Sequence, residues 1–216
     1  PPKYSNENLE DKNIRKKTNK RDLIIVLITF SITLFSFTSL QSYALFLITD
    51  VLDVENVSLM MTGVIIVLGL SVGISIIPAG KLSDKYSRKS VLLYGGLTGC
   101  ISCYLLIIFH SPLMVLLLCS GIGIAVGSMF STIWALTNDV ISKENAGNQI
   151  GLLAIGFLVS GIVARIAGIL IDFLNNTSEN LGYFSLLAFA GSCFILAPLA
   201  TSLIKENINE SISNKS

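Results

Sequence analysis

The chain has 216 residues, of which 52% are hydrophobic and only 13% charged, with a net charge of +1 and a mean hydropathy of +0.72. Soluble domains carry about 25% charged residues, so too few charges are present to cover a water-facing surface. This excludes an ordinary cytosolic enzyme or a nucleic-acid binder, and the high apolar content excludes a disordered chain.

The chain opens on Pro1-Pro2 and a polar, basic leader over residues 1–22. Six apolar runs follow, each near the 20 residues that a spanning helix needs. They cover residues 23–48, 59–79, 90–109, 112–136, 149–174 and 183–204, and a polar tail occupies 205–216. The runs are about twice the length of a barrel strand and do not alternate, so helices are expected. Ser58 is placed to cap the second helix, and Ser111-Pro112 reads as an N-cap followed by proline at the first helical position. The fold class expected is an all-α membrane protein of six transmembrane helices.

The basic residues orient the spans. The leader holds seven of them, the loop between spans two and three holds Lys81, Lys85, Arg88 and Lys89, and Lys143, Lys205 and Lys215 lie on the same side. The loops on the other side carry Asp50, Asp53, Glu55 and Glu179 and no basic residue. Basic loops stay inside, so both termini are expected in the cytoplasm of a multi-pass plasma or inner-membrane protein.

One basic residue, Arg165, lies within span five. An arginine that deep costs from about 3 to over 10 kcal/mol facing lipid, so it must face protein or water. Gly161 and Gly168 share its face and allow close packing there. Arg165 could read an anionic solute, form a gate, or pair structurally with Asp172 or Asp50. Span one is the most polar, with Thr38, Gln41 and Ser42 on one face and Tyr43 beside them. Span four adds Ser131, Trp134, Asn138 and Asp139. Spans three and six are blander. Glycine pairs at spacing four (Gly69/Gly73, Gly95/Gly99, Gly123/Gly127, Gly147/Gly151) allow close helix contact, and Pro198 is expected to kink span six.

Other chemistries lack their residues. Cys100 and Cys103 form a C-x-x-C inside a span with no histidine nearby, so small filling side chains are the simpler reading. The single histidine, His110, is about 27 Å along the helix from Ser128, which rules out a serine–histidine pair. No phosphate-binding or dinucleotide fingerprint occurs, so neither an enzyme nor a cofactor is expected. No glutamate lies in a span core; ion coupling, if present, falls to Asp139 or Asp172.

The loop Gly80-Lys81-Leu82-Ser83-Asp84-Lys85-Tyr86-Ser87-Arg88-Lys89 resembles the signature loop of the major facilitator superfamily, Gly-x-x-x-Asp-Arg/Lys-x-Gly-Arg-Arg/Lys. Gly80, Asp84, Lys85, Arg88 and Lys89 fit, while Ser87 stands where the family usually has glycine. Asn145-Ala146-Gly147 leading to Gly161, Gly168 and Asp172 is similar to the family's Gly-rich fifth or eleventh helix, with Arg165 near a usual proline. The resemblance implies half of a twelve-helix bundle, built as an inverted 3+3 repeat. The leader looks like the linker between halves, so the chain is expected to be a C-terminal half. The resemblance further implies transport by alternating access. Spans one and four would line the path through Thr38, Gln41, Ser42, Tyr43, Ser131, Trp134 and Asn138, with Arg165 favouring a small polar or anionic organic solute. Gly80, Asp84, Lys85, Arg88 and Lys89 would form a cytoplasmic latch, and spans three and six would be outer supports. The partners implied are the lipid bilayer, a small-molecule substrate, and an N-terminal six-helix half or a second copy. A non-transporting membrane scaffold, or a self-associating six-span transporter, are the alternatives.

Overall fold

The computed structural model describes residues 20–52, 54–140, 146–178 and 180–202; residues 1–19 of the leader, the tail and Lys143 lie outside them. Six helices occur in order: α1 (Lys20–Val51), α2 (Val57–Lys85), α3 (Arg88–Ile108), α4 (Pro112–Val140), α5 (Ala146–Asn175) and α6 (Leu181–Thr201). Even the shortest, at 21 residues, is about 31 Å long at 1.5 Å per residue, enough to cross a hydrocarbon core of about 30 Å. All six are long and apolar enough to span a membrane, as the apolar runs require.

The helix starts follow local chemistry. Ser111 caps α4: its hydroxyl accepts from the Met114 amide at 3.4 Å. At α2 the cap is Asn56 rather than Ser58. The Asn56 side chain accepts from the Leu59 amide at 3.0 Å, and asparagine at least equals serine as a cap. Ser87, which replaces the family's glycine, has φ −68° and ψ 133°. That is ordinary extended backbone, so the turn into α3 needs no glycine. The one positive φ among the described non-glycine residues is at Asn180 (63°), a residue type that tolerates the left-handed region. It closes the turn between α5 and α6, where Asn175 Oδ1 accepts from the Gly182 amide at 2.7 Å.

Within a bilayer, apolar burial gives little drive for helices to associate, so close packing of small residues does the work. Gly123 and Gly127 of α4 lie directly against the backbone of α2. A Cβ on Gly123 would sit 2.8 Å from the Leu68 carbonyl oxygen, and one on Gly127 2.6 Å from that of Val72. Gly95 and Gly99 let α3 approach α4 at Ser128 and Ala125, and Gly96 and Gly99 let it approach α6 at Phe194 and Pro198. Pro198 lies inside α6 and frees the Phe194 carbonyl four residues earlier. That carbonyl points at Gly96, which can offer only a weak Cα–H contact. Thr29 of α1 donates to the neighbouring Ala197 carbonyl at 3.3 Å. Gly69, Gly73, Gly147, Gly151 and Gly161 have no atom within 4 Å of an added Cβ; these glycines open outward. The four cysteines are buried in the packed interior.

The packing repeats between the two halves of the chain. α2 packs on α4 as α5 packs on α1, and α3 packs on α4 as α6 packs on α1; α3 meets α6, and α1 meets α4. Consecutive spans alternate in direction, so α4–α6 run inverted with respect to α1–α3. A step of 88 residues carries Gly73, Gly80 and Asp84 onto Gly161, Gly168 and Asp172. The contacts obey the same step. A Cβ on Gly80 would sit 3.1 Å from the Ser131 hydroxyl of α4, and one on Gly168 would meet the hydroxyl of Tyr43 on α1, the position equivalent to Ser131.

Within this single bundle α3 and α6 are half buried, and α2 and α5 are the most bare. Spans three and six, blander in sequence, therefore tie the two three-helix units together here. A Gly96→Ala change forces a methyl group into the Phe194 carbonyl. It is expected to destabilise the full-length protein by about 1–3 kcal/mol, read as a fall in the thermal unfolding midpoint in detergent. Ile166→Ala, on an exposed apolar face, is expected to stay within about 0.5 kcal/mol.

Candidate functional site

The polar residues of α1, α4 and α5 fall into two groups along the bundle. Gln41 lies about 8 Å and Arg165 about 7 Å from the midpoints of their helices, both toward the end carrying Asp50 and Asp172. Contact confirms the shared depth: the Tyr43 hydroxyl donates to the carbonyls of Arg165 at 3.1 Å and Ala164 at 3.3 Å. Ser131, Trp134 and Asn138 lie beyond the α4 midpoint toward the opposite, basic end, with Trp134 about 12 Å beyond it. The two groups are thus separated by about 20 Å along the bundle.

The side chains differ in how they are engaged. Thr38 donates to the Leu34 carbonyl at 2.7 Å within its own helix, as buried Thr29, Thr33, Thr132 and Thr137 do within theirs. Back-bonding of this kind is common for hydroxyls in membrane helices. Tyr43 is committed to the α5 backbone and works as a clamp between α1 and α5. Ser160 adds a second tie, donating to the Ser31 carbonyl at 2.9 Å. Trp134 is 43% exposed and meets Phe30 of α1 edge-on at 6.3 Å, beside a Phe30–Phe130 pair at 5.9 Å. These aromatic rings seal the α1–α4 crossing near the basic end. Gln41, Ser42, Asn138 and Arg165 are exposed, and their side chains make no hydrogen bond to any described residue. The side chain of Asp139 lies outside the described ones.

A cavity of about 260 Å³ lies between α1, α2 and α4, lined by apolar side chains such as Phe37, Val64, Leu68, Cys119 and Ile122 with Gln41 as its polar member. Its walls match the usual composition of a ligand pocket, mostly apolar with few polar groups.

Arg165 divides the exposed surface of α5. One stripe holds Ile155, Val159, Ile162, Ile166 and Phe173, all exposed and bulky. The adjoining stripe holds Gly147, Gly151, Ala154, Gly161, Arg165 and Asp172, at spacings of three, four and seven that share one helical face, together with the exposed Leu158 and Ile169. Bulky apolar residues suit lipid. An unpaired guanidinium flanked by glycines does not, because a mid-span charge facing hydrocarbon is expensive. Neither Asp172 nor Asp50 forms an ion pair with Arg165 among the described residues. Asp50 instead accepts a hydrogen bond of 2.5 Å from the Tyr183 hydroxyl, joining the last turn of α1 to the first of α6.

At the basic end, Asp84 sits in the last turn of α2, and Arg88 and Lys89 open α3. Each sign opposes its own helix dipole. Arg88 lies 3.9 Å from Asp84, with side chains 22% and 74% exposed. So exposed a pair is worth at most about 1 kcal/mol. Lys89 Nζ approaches the Ser202 carbonyl at the end of α6 at 3.5 Å, and Lys85 lies over the Tyr86 ring, 5.7 Å from its centre. Gly80 sits against Ser131 of α4, one residue in each of the two sequence-derived groups. The sequence reading missed the Asp50–Tyr183 bond, because nothing in spacing announces a contact between residues 133 apart.

Comparison with known proteins places these features. The sequence description of the family named Major Facilitator Superfamily matches residues 23–211. An uncharacterized transporter of Buchnera aphidicola subsp. Schizaphis graminum (strain Sg) is 28% identical over 162 residues, covering 68% of this chain and 38% of that protein. An uncharacterized transporter of Buchnera aphidicola subsp. Baizongia pistaciae (strain Bp) is 29% identical over 216 residues, covering 92% of this chain and 50% of its own length. The chain spans half or less of the length of these relatives.

Removing the clamp tests how α5 is held. Tyr43→Phe deletes the donor to two carbonyls and is expected to cost about 0.5–1.5 kcal/mol. The thermal unfolding midpoint of the full-length protein should fall accordingly, and an unchanged midpoint would show that the contact is idle.

Proposed function

This chain belongs to the Major Facilitator Superfamily, and on that premise we propose that it is a six-helix half of a secondary transporter that moves a small polar or anionic organic solute by alternating access. One observation carries the reading. The Arg165 side chain stands exposed near mid-span and forms no ion pair among the described residues. A charge at that depth calls for an anion or a water-filled path, and a path between two bundles supplies both. Gln41 and Ser42 lie at the same depth with free hydrogen-bonding groups and would orient the solute. The mainly apolar cavity beside Gln41 would hold its carbon frame.

The symmetry of the chain sharpens the choice of residues. Gly73, Gly80 and Asp84 repeat at the 88-residue step as Gly161, Gly168 and Asp172. Arg165 breaks the repeat, since its counterpart is Ile77. Ser131, Trp134 and Asn138, about 20 Å away along the bundle, would line the opposite end of the path. The basic loops would face the cytoplasm with both termini, following the distribution of lysine and arginine. Gly80, Asp84, Lys85, Arg88 and Lys89 would then act as the cytoplasmic latch. Their charges oppose the local helix dipoles, an arrangement suited to a contact made in one state and released in the other. A second six-helix bundle would complete the path, in keeping with the greater length of the relatives. The chain would act as a carrier and not as an enzyme.

Single cysteines at Gln41 and Trp134 in the full-length protein test the reading. The four native cysteines are buried in spans, and the unsubstituted protein gives the background. A membrane-impermeant maleimide is expected to label position 41 mainly from the outer face and position 134 mainly from the inner face. If neither residue labels from water, the alternating-access reading fails.

A further inference from the structure

We propose that Asp172 is a gate residue at the outer end of the path, the inverted-repeat counterpart of Asp84 at the inner end. The inference rests on the alternating-access reading and adds to it a residue that closes the other side.

Four observations support it. Asp84 and Asp172 stand at the same place in the repeat, four residues after Gly80 and Gly168. Each lies in the last turn of its helix, α2 or α5, and the two helices run in opposite directions, so the carboxylates sit at opposite ends of the bundle. The crossings beneath them also match: Gly80 rests on Ser131, and Gly168 on the equivalent Tyr43. These crossings fix where each carboxylate projects from its helix.

The third observation is electrostatic. An acid in the last turn of a helix is repelled by the helix dipole. Asp84 has Arg88 nearby to offset this. Asp172 is exposed and forms no ion pair among the described residues, although the phenols of Tyr43 and Tyr183 are close enough to feel its charge. Of the two acids that the described helices carry at this end, Asp50 is already held by Tyr183, while Glu55 lies in the loop between α1 and α2. Asp172 is therefore the helix-borne acid at this end available to a group outside this bundle. The fourth observation is direction. Asp172 shares its helical face with Gly161 and Arg165, the charge that cannot face hydrocarbon.

The partner that fits is a cationic group of the second bundle, a lysine, an arginine or the N-terminal turn of a helix. With the outer end closed, this group would meet Asp172 while the Asp84 contact is broken; with the inner end closed, the reverse. Because each acid stabilises one state, removing either shifts the balance toward the state it opposes.

The test uses full-length protein in right-side-out and inside-out vesicles, with Gln41→Cys as the reporter and an impermeant maleimide as the probe. Asp172→Asn is expected to raise labelling from the outer face several-fold and lower it from the inner face. Asp84→Asn is expected to do the opposite, and Asp172→Glu to leave both rates near those of the reporter alone. An Asp172→Asn protein that labels as the reporter does, or shifts in the same direction as Asp84→Asn, overturns the proposal while the transport reading stands. If Asp84→Asn also shifts nothing and position 41 reacts from one face only, the transport reading itself fails. Should Asp172→Asn not fold, Asp172→Ser carries the same expectation.

Discussion

The structure depends on how closely two helical backbones can approach inside a bilayer. Lipid is as apolar as leucine, so helices gain little by hiding apolar side chains from it. Contact area must come from removing side chains at the crossings. Gly123 and Gly127 bring α4 onto α2, and Gly95, Gly96 and Gly99 bring α3 onto α4 and α6. At these points a single methyl group would overlap backbone or side-chain atoms. The bundle is therefore rigid where glycines face inward. Where they face outward, at Gly69, Gly73, Gly147, Gly151 and Gly161, it keeps room for another surface to come close.

That division separates scaffold from working face. The hydroxyls of Thr29, Thr33, Thr132 and Thr137 in the packed interior donate within their own helices, so polarity alone does not mark a ligand site. Gln41, Ser42, Asn138 and Arg165 are different because their side chains are exposed and have no hydrogen-bonding partner among the described residues. On α5 the exposed guanidinium of Arg165 stands between Gly161 and Asp172 with Leu158 and Ile169 beside it, so the charge at this depth is what calls for water or protein. Tyr43 links the two regimes. It anchors the α5 backbone at Arg165 itself, so the depth of the guanidinium is set by α1, where Gln41 and Ser42 lie.

Much of this was legible in the residues. Apolar run length gave six helices, and the loop from Gly80 to Lys89 pointed to the family. Charge cost alone predicted that Arg165 could not face lipid. The 88-residue repeat was also readable, because Gly73, Gly80 and Asp84 recur as Gly161, Gly168 and Asp172, but its meaning needed the contacts. Three things were not legible. The α2 cap fell to Asn56 rather than Ser58 because the loop shape decides which side chain reaches the Leu59 amide. Which glycine pairs pack and which stay open depends on helix rotation, which glycine spacing does not encode. The bonds of Tyr43 to α5 and of Asp50 to Tyr183 join residues far apart in the chain, and only the fold brings them together.

The central claim is that the Arg165 stripe of α5 faces water or protein while its neighbour faces lipid. Site-directed spin labels at 165 and 166 of the full-length protein in liposomes measure this directly. The account predicts that the label at 165 collides mainly with a water-soluble nickel chelate, and the label at 166 mainly with oxygen dissolved in the lipid. Oxygen-dominated collisions at both positions, with no contrast between them, would contradict it.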